Sequence, residues 1–376
     1  MNINQESIKE HKKHRGKYAV VSKMPVKNKK QLSLAYTPGV GAVSAAIVRD
    51  SSLVSKLTSK QNMVAVVSDG SSVLGLGNIG PLAALPVMEG KAILFKEFAN
   101  IDAVPIVLNT QDTEEIIAAI KAIAPTFGGI NLEDISAPRC FYIEERLSKD
   151  LDIPVFHDDQ HGTAIVVLAA LINSLKVVNK KLNAVKIVIN GAGAAGAAIT
   201  KLLIAAGAQN IIVVDTQGAI YKKRKDLSAE KNELAKITNS KQEKGSLAEV
   251  LINADVFVGV SRPNVLTAEM VSAMGKKSVV FALSNPIPEI MPDLAKEGGA
   301  MVVATGRSDF ANQINNVLVF PGLFRGLLDK GVSKITLEMK LRAAYNLAAV
   351  ITRPSKDSIL PSVFDKRVAK AVAHAV

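Results

Sequence analysis

Residues 186–215 read KIVINGAGAAGAAITKLLIAAGAQNIIVVD, a strand-turn-helix-strand unit with glycines at G-x-G-x-x-G spacing and an acid closing its second strand. No other stretch restricts the fold as much. Gly191 permits the tight turn, Gly193 lets backbone approach a pyrophosphate, and Gly196 lets the helix pack close to the strand. Ala192, Ala194 and Ala195 complete the turn and open the helix, whose unpaired N–H groups and positive dipole end suit phosphate. Asp215 follows Gly196 by nineteen residues, where a carboxylate can accept from ribose hydroxyls. A glycine-rich packing turn alone would leave that acid unexplained, so the unit predicts a dinucleotide cleft.

The rest of the chain extends this unit into an α/β protein. After the cleft motif come NIIVVD, a polar loop and helix, ADVFVGV, a helix, SVVFALSN and MVVAT, a doubly wound series. Upstream, MVAVVSD, KAILFKEF, AVPIVL and IPVFHDD read as short strand-like runs, with TEEIIAAIKAIA as a helix, which predicts a second parallel sheet. A chain of 376 residues is long for one core and fits two domains, divided near Gly162 into 1–162 and 163–376. A second G-x-G-x-x-G match, Gly75 to Gly80, is expected to be a tight loop lining a cleft. Pro81 and Pro86 follow it, and an interior proline costs about 3 kcal/mol, so no long helix is expected there.

Composition narrows the function classes. The lone Cys140 cannot form an intrachain disulfide, lies among apolar residues and reads as structural. No uninterrupted apolar run reaches the roughly 18 to 20 residues of a spanning helix, and Gly162 to Leu175 reads as a buried helix. The amino terminus has no apolar export region, which predicts a cytoplasmic protein. The net charge is +12, and residues 1–30 hold nine basic against two acidic residues. That arm lacks the aromatic interleaving of a nucleic-acid surface and reads as a solvated helical segment or a subunit contact. Neither nucleic acid nor membrane is expected as a partner.

Acids gather in GGINLEDIS, with Glu133 and Asp134, and in IPVFHDDQHGTA, with Asp158 and Asp159. Loops at the carboxyl ends of parallel strands are where α/β ligands bind, and all-oxygen donors suit Mg²⁺ or Mn²⁺. Adjacent acids before a helix also serve as N-caps. His157 and His161 at i, i+4 would suggest zinc, but they straddle a strand end and a helix start with no soft third ligand.

YTPGV at Tyr36, SDGSSVLGLGNIGPLAALPVMEGKAILFKEFANIDAVPI through Lys91, NLEDI, FHDDQHGTA, NGAGAAG, FALSNP and NNVLVFPG stand in one order along the chain. In that order and context they resemble the malic enzyme family in its short bacterial form, across about residues 18 to 350. The resemblance implies an N-terminal α/β substrate and metal domain, then a Rossmann-type domain with C-terminal helices. It implies oxidative decarboxylation of L-malate to pyruvate with a nicotinamide dinucleotide. Lys91 matches the general base and a substrate contact, Tyr36 the residue that protonates C3, and Asn285 and Asn316 the amides that hold substrate. Glu133, Asp134 and Asp159 match the ligands of Mg²⁺ or Mn²⁺, and Asp158 an orienting or proton-relaying group. Ser72 replaces an arginine that grips malate in longer relatives.

A lysine acts as a base near neutral pH only when its pKa is lowered, and the apolar AILF beside Lys91 fits that requirement; Lys96 is the fallback. The family also implies a homodimer. Asp215 favours NAD, whereas Lys222, Lys223, Arg224 and Lys225 could fold back to neutralise the 2′-phosphate of NADP. Two rivals stand: a malolactic conversion of malate to lactate on the same scaffold, and a nucleic-acid or membrane-binding protein with a dead site.

Overall fold

A computed structural model describes residues 3–73 and 75–376; Leu74, inside the glycine-rich loop, and the first two residues lie outside the description. Among the described residues, ten strands build two sheets. The first holds β1 (Met63–Ser68), β2 (Asp102–Val107), β3 (Gly129–Leu132) and β4 (Val155–His157) in the order β2-β1-β3-β4. All its pairings are parallel. The second holds β5 (Lys186–Asn190), β6 (Asn210–Asp215), β7 (Gly218–Ala219), β8 (Val256–Gly259), β9 (Val279–Ala282) and β10 (Val302–Thr305). Its order is β10-β9-β8-β5-β6-β7, parallel except for the short antiparallel β7. The chain leaves β5 toward β6 and returns to β8 on the other side of β5, which creates the topological switch point where dinucleotides bind.

The regular series downstream of Lys186 forms as its sequence predicts, because each strand is a β-branched run whose side chains are buried on both faces. The first half departs from expectation in one place. KAILFKEF is not a strand but the end of a twenty-residue helix, Gly80–Ala99. Pro81 occupies the first turn, where no N–H is needed. Pro86 is inside the helix and does forfeit a hydrogen bond, but the helix buries Ala84, Met88, Ala92 and Phe95 along one face. Burial of Met88 and Phe95 alone stabilises by roughly 1.5–3 kcal/mol each, enough to offset the proline. The same spacing puts Lys91 on that buried face. The loop before it does turn tightly, with a bridge between Val73 and Gly77.

The helix Asp158–Val178 joins the sheets and buries most of its length. By length and composition it could span a bilayer, as could Lys29–Arg49; the first lies mostly in the core and the second in the exposed arm. Gly162 falls within the joining helix, so the chain passes from one sheet to the other without a flexible linker. Phe320 and Phe324, in the helix Phe320–Lys330, pack on Phe95 of the first half, with ring centroids 4.7 and 5.3 Å apart. One hydrophobic cluster therefore runs through both halves.

Candidate active site

The carboxyl ends of β3 and β4 bring the predicted acids together. Single ligand oxygens of Glu133, Asp134 and Asp159 all lie within 4.8 Å of one another. The Asp134 N–H donates to Asp159 Oδ2 at 2.8 Å, and Asn131 Nδ2 donates to Glu133 Oε2 at 2.8 Å, which fixes two of the three carboxylates. Asp134 holds a left-handed φ of 55° to turn its side chain into the group. Burial and the neighbouring Asp159 push the Asp134 carboxyl up to about 8, and burial raises Glu133 as well. So much crowded negative charge, offered by oxygen alone, fits a hard divalent cation. His157 and His161 are not in the ligand group.

Lys91 faces this group from its helix. Its Nζ donates to Asp158 Oδ2 at 2.7 Å and lies 2.9 Å from Glu133 Oε1 and 4.4 Å from the centre of the Phe320 ring. The lowered pKa expected from burial is not found. Burial does act downward, but Asp158 and Glu133 outweigh it and hold the ammonium above its ordinary range. Lys96, the fallback, is exposed and bonded to Asn100 and Asp102, away from the acids. Cys140 is fully buried and its thiol is pushed up to about 12 by burial and then by Glu144, as befits a structural residue.

Asp158 depends on the residue one turn further along its helix. A Cβ at Gly162 would stand 1.9 Å from Asp158 Oδ1, so only glycine leaves that carboxylate its place against Lys91. Gly162→Ala should favour the helix by about 1 kcal/mol while displacing the carboxylate. A misplacement near 1 Å can cost about 10²-fold in rate. Turnover is therefore expected to fall even in protein shown to be folded, and unchanged kcat would refute the role given to Asp158.

A cavity of about 450 Å³ connects the halves, lined by Asp159 on one wall and by Ala195, Arg262, Asn285 and Asn316 on the others. Beyond Ser261 and Arg262 it adjoins a cleft of about 1050 Å³ lined by Gly191, Ala192, Gly193 and Asp215. Two of the three invoked glycines prove necessary: Gly191 has φ +126°, and a Cβ on Gly196 would meet the Gly191 carbonyl oxygen at 1.8 Å. Gly193 faces open space, as a pyrophosphate seat requires. Asp215 is not a free carboxylate, because Arg224 and Lys231 both pair with it. Of the four bases expected near it, Arg224 alone reaches it.

Several site residues escaped the sequence reading. Glu144 accepts from the His157 N–H at 3.0 Å and Gln160 Nε2 at 3.2 Å, and its Oε2 lies 3.0 Å from His161 Nε2. It thereby anchors the turn that carries Asp158 and Asp159. Asn131 was hidden inside a strand too short to register as one. Tyr36 is the site residue that the chain does not bring in. It is 67% exposed, in an arm whose helices Lys29–Ala35 and Gly39–Arg49 bury no residue.

Two family models cover the chain: the malic enzyme N-terminal domain matches residues 15–115 and 109–148, and the malic enzyme NAD binding domain matches 160–376. The chain is 55% identical to the bifunctional malic/malolactic enzyme of Bacillus subtilis, covering 100% of this chain and 92% of that one. It is 58% identical to the NAD-dependent malic enzyme of Geobacillus stearothermophilus, covering 96% of this chain and 76% of that one. The crystal structure of the NAD-dependent malic enzyme from Thermotoga maritima superposes with a TM-score of 0.96 at 49% identity, covering 98% of each chain. With its carboxylate group, its buried lysine and its dinucleotide cleft, the chain belongs to the malic enzyme family.

Proposed function

We propose that this enzyme oxidises L-malate at C2, passes the hydride to a nicotinamide dinucleotide and releases C4 as CO₂, leaving pyruvate. The observation that carries the reading is the shared cavity, in which Asp159 faces Asn285, Asn316 and the end of the dinucleotide turn. Lys91, acting as the neutral amine after it has released its own proton, takes the C2 hydroxyl proton as the hydride leaves, and Asp158 holds the lysine in position. The C3–C4 bond then breaks, its electron pair enters the enolate, and C3 is protonated by Tyr36. Asn285 and Asn316 orient the substrate. Glu133, Asp134 and Asp159 would hold Mg²⁺ or Mn²⁺. When bound, the cation polarises the substrate oxygens and offsets the negative charge that faces Lys91. NAD is the main acceptor and NADP is also accepted, in a cytoplasmic enzyme. The domains run from 1 to 162 and from 163 to 376.

The reading includes a homodimer. Val20, Val21, Leu34 and Val48 are exposed in the arm together with Tyr36, an apolar surface that a second copy would cover. The arm would then deliver Tyr36 to the partner's cavity. Tyr36→Phe and Lys91→Ala should each be inactive, yet random mixing after dissociation should restore about a quarter of wild-type activity, since half the dimers are mixed and each has one intact site. A monomeric mass at micromolar concentration, or no recovery on mixing, would count against this arrangement.

A malolactic conversion is the second reading, favoured by the bifunctional relative from Bacillus subtilis. Purified enzyme with L-malate, Mn²⁺ and NAD tests both. Pyruvate and reduced nicotinamide in equal amounts support the proposal, while lactate without reduced cofactor supports the alternative.

A further inference from the structure

Apart from the substrate cavity, two adjoining cavities of about 340 and 280 Å³ share Phe141, Gln160, His161, Lys201 and Lys340 in their walls. They use another face of the same helices. Asp158–Val178 and Ala194–Ala205 give Thr163, Val166 and Ala195 to the substrate cavity, but His161, Ala164, Ala197 and Lys201 to this place. The two places have no lining residue in common.

Two cations here lack a carboxylate partner. Lys340 is half-buried, and its Nζ donates to His161 Nδ1 at 3.0 Å. With Nδ1 accepting, the proton of the neutral ring sits on Nε2, which donates to Glu144 Oε2 at 3.0 Å. An ammonium carries three N–H donors, so two on Lys340 meet no acceptor among the described residues. Lys201 forms no ion pair or side-chain hydrogen bond among those residues. Burial pulls the Lys340 pKa down, Glu144 only partly offsets it, and the charge of Lys201 pulls it down further. The other charged groups do not answer these two. Lys334 donates to the carbonyl oxygens of Ser148 and Leu151. Glu144 is spent on His157, Gln160 and His161, and Glu145 is exposed and pairs with neither lysine.

The rest of the wall is apolar, with Phe141, Ala164, Ala197, Leu202 and Leu337. We propose that this cavity binds a small aliphatic carboxylate, its oxygens held by Lys340 and Lys201 and its carbon chain laid against Phe141, Leu202 and Leu337. The carboxylate offers acceptors to the idle donors and removes the repulsion between the two lysines. The chain covers apolar surface that inorganic phosphate would leave bare. Such an occupant links the helix that opens at the dinucleotide turn to the C-terminal helix Leu337–Ala349.

Butyrate is the probe, followed by ligand-detected NMR on the full-length enzyme. Its expected dissociation constant is on the order of 1 mM, the modest strength open to so small a ligand. Lys201→Met should weaken binding by about 10-fold, the lower end for a charge-assisted hydrogen bond, because this lysine is exposed. Lys201 holds no other residue, so an unchanged melting temperature is expected to show that the variant is folded. Lys340→Met should weaken butyrate to a similar degree, and inorganic phosphate should bind the wild type more weakly than butyrate does. Butyrate bound equally well by wild type and Lys201→Met, or not bound by wild type, would overturn the proposal. So would phosphate that binds more tightly and displaces butyrate, which would mark a site that makes no use of the apolar wall. Butyrate displaced by L-malate in wild type and both variants alike would place it in the substrate cavity and would equally overturn the proposal.

Discussion

Replacing Lys91 with alanine is expected to lower kcat by about 10²-fold or more while NADH binding stays near its wild-type value. The lysine touches the acids and the Phe320 ring but does not line the dinucleotide cleft. Its removal also leaves Glu133 and Asp158 buried without their cation, and breaking such a pair can cost about 3–5 kcal/mol. Those carboxyls can relieve part of that cost by taking up protons. Activity must therefore be measured on variant protein shown to be folded, at saturating Mn²⁺. Partial rescue by a small added primary amine would mark the lost group as a base. Near wild-type kcat in the folded variant would remove Lys91 from the chemistry.

Removing divalent metal is expected to abolish turnover, and Mn²⁺ or Mg²⁺ should restore it, because the ligand group has only oxygen donors. The metal should also stabilise the fold. A ligand at 100 times its dissociation constant adds about 2.7 kcal/mol, which melting in chelator against melting in Mn²⁺ would report without any substrate. Asp159→Ala should shrink that stabilisation and raise the metal concentration needed for activity. Full activity in excess chelator would dismiss the cluster as a metal site.

The dinucleotide half was legible because its determinants are local. Gly191, Gly196 and Asp215 act within a span of thirty residues, and β-branched runs mark the strands around them. The first half was harder to read. A helix with Pro86 inside it is disfavoured locally, and it forms because distant residues bury its Met88 and Phe95 face. The partners of Lys91 lie 42 and 67 residues away in sequence, at Glu133 and Asp158. No spacing rule could announce that the lysine would meet two carboxylates, so its raised pKa was invisible before the fold was known. Lys231 was likewise hidden by the more conspicuous run at Lys222–Lys225. Tyr36 is a different case: its sequence motif is intact, but one chain by itself leaves it in solvent.

The most direct test of the central claim follows the hydride. L-malate carrying deuterium at C2 is converted with NAD and Mn²⁺, and the reduced nicotinamide and the organic acid products are analysed by mass. Hydride transfer across the cavity between Asp159 and Ala195 predicts one deuterium in each reduced nicotinamide formed, with one pyruvate and one CO₂ for each malate consumed. Malate consumed with no deuterium in the nicotinamide would contradict the account.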